Sequence, residues 1–178
     1  MIGNLWAGSP LDDRMRKDQA AKQVWIAYTV LLGLASGWLA LLLVTPKLMC
    51  NGHEWGALLL YRAFALICHQ RVERSFQWCG WPLAVCVRCT GIYAGGVLGL
   101  LLYPLMRCLA VPHSLARRSL LLALVLLAMD WGLGAAGVSV HNTGTRLVTG
   151  LAVGVVAVIY VLPALLTVLS QDRSAMQS

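Results

Sequence analysis

Four long apolar runs set the limits on what this chain can fold into. Trp25–Thr45, about Trp81–Met106, Ser119–Gly137 and Thr145–Thr167 each approach or exceed the roughly 20 residues a helix needs to cross bilayer hydrocarbon. Of the 178 residues, 59% are hydrophobic and only 12% charged, with a mean hydropathy of +0.73, where soluble domains run nearer half apolar and a quarter charged. The expectation is an all-α integral membrane protein: a four-helix transmembrane bundle in one domain over residues 25–168, with a polar arm at 1–24 and a polar tail at 169–178. A fifth apolar stretch, Glu54–Cys68, is short for a span and carries Arg62 at its centre, so it reads as an interfacial or re-entrant helix. The first run begins only after a polar segment and continues for about 21 residues, too long for the apolar core of a signal peptide. It reads as an uncleaved first span.

The net charge of +7 could suggest nucleic acid, but there is no long basic run and no aromatic RNA-binding pattern. Anionic lipid and the excess of basic residues on cytoplasmic loops account for it more simply. Eight basic residues fall on one side (Arg14, Arg16, Lys17, Lys22, Arg107, Arg117, Arg118, Arg173) and six on the other (Lys47, Arg62, Arg71, Arg74, Arg88, Arg146). That bias places both termini in the cytoplasm of a bacterial or archaeal cytoplasmic membrane. With four spans, "CHQRVERSF" (68–76), "CVRCTGIYAG" (86–95), Asp130 and "HNTGTR" (141–146) then gather at the outer face. Small residues recur four apart at Gly33 and Gly37, at Gly91, Gly95 and Gly99, and at Gly150 and Gly154, the pattern that lets membrane helices approach closely.

The chemistry concentrates in the first two of those segments. Cys86 and Cys89 are spaced C-x-x-C at the start of the second run, so both sulfurs share one helix face. A helix amino terminus and Arg88 both favour thiolate there, the form that ligates a metal or attacks a disulfide. Cys68 and His69 are adjacent and can both ligate only where the helix unwinds. Together Cys68, His69, Cys86 and Cys89 make a Cys3His set, a common zinc combination, with the imidazole as the member that could give way to water. Cys79 is a substitute fourth ligand or a disulfide partner for Cys68, whereas Cys50 and Cys108 read as small apolar residues. The disulfide option leads to a second chemistry. A four-helix protein with an outer C-x-x-C looks like the quinone-linked disulfide-generating reductases, with Cys86 and Cys89 as the redox pair and a quinone as cofactor.

Taken together, "CHQRVERSF", "CVRCTGIYAGG", "MDW" and "NTGTRLVTG" resemble a bacterial and archaeal family of small membrane proteins of unknown function. Its signature is C-H-Q-x-x-x-R-S followed by C-x-R-C-T-G-I-Y-x-G, and the likeness runs from about Cys68 to Gly154. The matching positions are Cys68, His69, Gln70, Arg74, Ser75, Cys86, Arg88, Cys89, Gly91, Tyr93, Asp130, Asn142, Arg146 and Gly150. Cys50 and Cys79 lie outside the pattern, so the resemblance implies three cysteines and one histidine, which favours a metal over two disulfides.

Polar residues complete the expected site. Asp130 lies about 16 Å along the third run at about 1.5 Å per residue. An acid so deep faces a partner or a cavity. Arg146 is its expected partner, Arg88 the second choice, and an acid/base role its expected chemistry. Arg74, Arg88 and Arg146 can clamp a phosphate or carboxylate, with Ser75, Tyr93 and Asn142 orienting it. The parts are those of metal-assisted hydrolysis or transfer on an anionic or lipid-linked substrate, with membrane lipids as neighbours.

Overall fold

The computed structural model describes residues 10–108, 113–135 and 143–175. In chain order these form α1 (Pro10–Cys50), α2 (Glu54–Ala65), a 3-10 turn (Val72–Arg74), a minimal hairpin of β1 (Gln77–Trp78) and β2 (Trp81–Pro82), α3 (Val87–Cys108), α4 (His113–Ala135) and α5 (Thr143–Ala175). The chain is thus almost wholly helical. Within α1, α3 and α5, the stretches Ala21–Cys50, Val87–Met106 and Thr143–Leu166 are long and apolar enough to cross a membrane. Large apolar side chains such as Leu34, Leu101, Leu122 and Val148 are more than half exposed, which suits a lipid surround and not water. Helices are the natural form for such stretches, because in hydrocarbon each must satisfy its own backbone donors and acceptors.

Several boundaries differ from the sequence reading. α1 starts at Pro10, so the polar arm continues the first span as helix. α3 starts at Val87 and not at Trp81, because Pro82 and the Cys79–Gly80 turn commit residues 77–82 to the hairpin. α5 runs on to Ala175, taking in most of the polar tail. The short helix at 54–65 is present as expected, with Arg62 in its last turn.

α3 and α5 form the most intimate pair. A methyl group at Gly95 would fall on the Leu151 carbonyl, and one at Gly154 on the Ile92 carbonyl, so the backbones cross with nothing between them. Gly33 and Gly37 of α1 share the spacing, but among the described residues nothing lies within 4 Å of a side chain built there. α4 packs along α5, and α1 lies along α3, tied near one end by Tyr28, whose hydroxyl donates to the Leu100 carbonyl at 2.8 Å. The interior is divided between two ends. One core holds Tyr28, Leu100, Leu162 and Leu166; the other holds Leu42, Phe64, Cys68, Leu83, Ala84 and Val85. The second core is the floor of the site.

Candidate metal centre

Two pieces of local structure bring three sulfurs together. α2 closes with a last turn in which the Cys68 N–H donates to the Phe64 carbonyl at 3.0 Å, and this leaves Cys68 buried. Beyond it the chain reverses at Gln70, whose φ of +47° is unusual for a side chain with a Cβ. The Gln70 carboxamide holds that reversal by donating to the Tyr61 carbonyl at 2.7 Å and to the Ala84 carbonyl at 2.8 Å. One side chain thereby joins α2 to the segment leading into α3. At the start of α3, the Cys86 carbonyl accepts from the Thr90 N–H at 2.9 Å, so Cys86 stands at the cap and Cys89 one turn along.

The Sγ atoms of Cys68, Cys86 and Cys89 all lie within 4.8 Å of one another. Sulfurs around a tetrahedral zinc at about 2.3 Å would be about 3.8 Å apart, so closing on an ion asks for at most about 1 Å of movement. The Cys86 N–H already donates to the Cys68 sulfur at 3.3 Å. Cys86 lies just outside the membrane-crossing stretch of α3, and its thiol is pushed down to about 5. The Cys89 thiol donating to it is the main cause. Burial opposes the shift, while the Cys89 and Arg88 N–H groups and the Cys68 thiol support it.

These thiols line a cavity of about 500 Å³ whose wall also includes His69, Gln70, Arg71, Arg74, Arg88, Asp130 and Arg146. The expected convergence of distant segments is therefore present in the fold. The imidazole of His69 is not in the three-sulfur group: the residue is exposed and stands on the cavity wall. Asp130 pairs with Arg88 and not with Arg146, a correction with a simple cause: α3 presents Arg88 toward α4 two residues after the cap cysteine. Both side chains of the pair are 20% exposed. Arg88 Nε is buried and, among the described residues, has no hydrogen-bond partner. Arg146 is only 8% exposed, and Arg71, Arg74 and Arg146 also line an adjoining cavity of about 250 Å³.

Other expected residues lie elsewhere. Ser75 spends its hydroxyl on the Arg71 carbonyl at 3.0 Å and lines neither cavity. Tyr93 packs on the core behind the thiols, its ring 6.2 Å from that of Trp38. Asn142 lies outside the described residues. Cys79 is on the exposed hairpin tip, outside the three-sulfur group, and Cys50, Cys68, Cys79, Cys86 and Cys89 are free thiols. The sequence reading gave no site role to Gln70, Arg71 or Trp131, although all three stand inside the quoted motifs "CHQRVERSF" and "MDW".

Comparison with known proteins fits this geometry. Residues 68–160, from the first thiol of the cluster into α5, match the family described as "Predicted membrane protein (DUF2085)". The chain belongs to that family. It is 34% identical over 113 residues to "Uncharacterized protein MJ1492" of Methanocaldococcus jannaschii, covering 64% of this chain and 72% of that protein. It is 37% identical over 95 residues to an "Uncharacterized protein" of Methanothermobacter thermautotrophicus, covering 52% of this chain and 81% of that one. No solved structure matches.

Proposed function

We propose that this membrane protein holds one zinc ion on Cys68, Cys86 and Cys89, with the fourth position turned to the cavity and open to water, to His69 or to an anionic ligand. The observation that carries this reading is the grouping of three sulfurs within 4.8 Å on the wall of a cavity that also bears Arg74, Arg88 and Arg146. Three thiolates on a divalent ion leave one negative charge, and the arginines offset it while offering forked donors to a phosphate or carboxylate. The orphaned Arg88 Nε is a donor available for such a ligand. Bound zinc supplies Lewis acidity and lowers the pKa of a coordinated water. Asp130 then steadies Arg88 and is the nearest candidate for proton transfer. The reaction class this favours is metal-assisted hydrolysis or transfer on an anionic or lipid-linked substrate. In this reading α4 is a fourth span, both termini face the cytoplasm, and the site opens at the outer face of the cytoplasmic membrane, among lipid head groups.

Elemental analysis tests it directly, on protein purified in mild detergent without chelator, with thiols counted before and after denaturation. About one zinc per chain, released with three newly reactive thiols, is the expected result, and His69→Ala keeps the ion because the imidazole stands outside the sulfur group. A second reading, a quinone-linked thiol oxidoreductase, draws on the Cys86–Cys89 hydrogen bond at a helix start. Protein without metal, carrying a Cys86–Cys89 disulfide and bound quinone, would replace the first reading with the second.

A further inference from the structure

Cys50 and Cys79 take no part in the three-thiol cluster, yet the fold puts them side by side. Cys50 is the last residue of α1, and its sulfur lies 3.9 Å from the Trp78 carbonyl, one residue before Cys79. The Cys50 sulfur thus reaches the backbone immediately before Cys79. A second contact fixes the hairpin against α1: the Lys47 ammonium sits 4.8 Å from the centroid of the Trp78 ring. The hairpin that carries Cys79 is therefore held against the helix end that carries Cys50.

The turn sharpens the point. Trp78 pairs with Trp81, leaving Cys79 and Gly80 as a two-residue turn with φ of +51° and +78°. Two positive φ values make this the type I′ geometry, which favours asparagine, aspartate or glycine at its first position. Cysteine gains nothing there from its backbone and is strained by it. What it contributes is a sulfur, exposed at a hairpin tip whose preceding residue touches the end of α1.

We propose that Cys50 and Cys79 are a redox pair that a disulfide-bearing oxidant, such as an oxidised low-molecular-weight thiol, converts to an intramolecular disulfide. The exposed Cys79 thiolate attacks one sulfur of the oxidant and expels the other half as thiolate, which gives a mixed disulfide. The Cys50 thiolate then attacks the Cys79 sulfur and expels the second half. Two protein thiols are oxidised, one disulfide is reduced to two thiols, and the protons lost by the cysteines pass to the departing thiolates. The new bond closes a loop of about 30 residues that contains α2 and Cys68, and it fastens the hairpin to the end of α1. The proposal does not depend on a metal being bound.

The test uses the full chain in mild detergent, exposed to oxidised glutathione, quenched with N-ethylmaleimide, and peptide-mapped without reductant. The expected product is a peptide pair joined through Cys50 and Cys79 in most chains, abolished by Cys50→Ser and by Cys79→Ser. In the wild type, the same two residues alone should go from alkylated to protected on oxidation, a readout that needs no variant to fold. Persistent glutathione on Cys79 that Cys50 never displaces would overturn the proposal. So would linkage of Cys79 to Cys68, or two thiols that stay fully alkylated.

Discussion

The two groups of cysteines differ in every property that decides what a thiol can do. Cys68, Cys86 and Cys89 stand on a buried floor of Phe64, Leu83, Ala84 and Val85, among four arginines, with N–H groups aimed at the sulfurs. Cys50 and Cys79 meet at the surface, between a helix end and a strained turn. Three sulfurs at about metal-ligand separation suit an ion; two at an exposed contact suit a disulfide. Sulfur count says little by itself. The scaffold around the sulfurs separates the two chemistries.

The sharpest way to break this contrast is to remove one thiol from each group and weigh the metal. Replacing Cys68, Cys86 or Cys89 with serine should take zinc from about one per chain to background, because two thiolates seldom hold the ion alone. Cys50→Ser and Cys79→Ser should leave it unchanged. Equal loss from both groups would mean that the hairpin pair belongs to the metal centre after all. The next effect is smaller and isolates the scaffold from the ligands. Gln70→Ala removes the two hydrogen bonds by which one carboxamide links α2 to the segment leading into Cys86. Supporting residues of this kind typically cost 10–100-fold in metal affinity, and competition with a chelator of known affinity should show a drop of about 10-fold at least.

Much of this was legible in the chain itself. The apolar runs gave the helical membrane fold, and the C-x-x-C with its upstream cysteine gave the three thiols that the fold groups together. What failed was non-local or depended on a single turn. Pairing Asp130 with Arg146 rather than Arg88 was an error about helix rotation, which hydropathy does not encode. Gly33–Gly37 and Gly95–Gly99 look alike as sequence, yet only the second set meets a partner helix, because the motif permits close approach without naming the neighbour. The hairpin overlaps the start of an apolar run: Trp81 and Leu83 read as its first residues, whereas Pro82 and the two positive-φ positions before it bend the chain.

The arginine side of the contrast can be sharpened at Asp130. Asp130→Asn leaves the Arg88 guanidinium in a mostly buried place without its counter-charge. Losing such a partner costs about 1–3 kcal/mol, which should lower the thermal midpoint by a few degrees while zinc content stays at the wild-type level. Zinc falling with stability would show that the ion pair holds the thiols in place, and the two functions of Arg88 would then be inseparable.

The mildest effect concerns rate and not occupancy. In chelated protein the Cys86 thiol titrates at about 5 in the fold, against about 9 for an ordinary thiol. A depressed folded-state value means that ionisation of Cys86 supports the fold fully above pH 9, and that this support drains away as pH falls toward 5. Alkylation of Cys86 by a neutral reagent should accordingly hold its rate from neutral pH down and halve near pH 5. Because the Cys89 thiol is the leading donor, Cys89→Ala should move that midpoint back up toward the ordinary range. A midpoint already near 9 in the wild type would mean that the thiols are not clustered without metal. The ion would then assemble its own site, and the difference between the two cysteine groups would belong to the holoprotein alone.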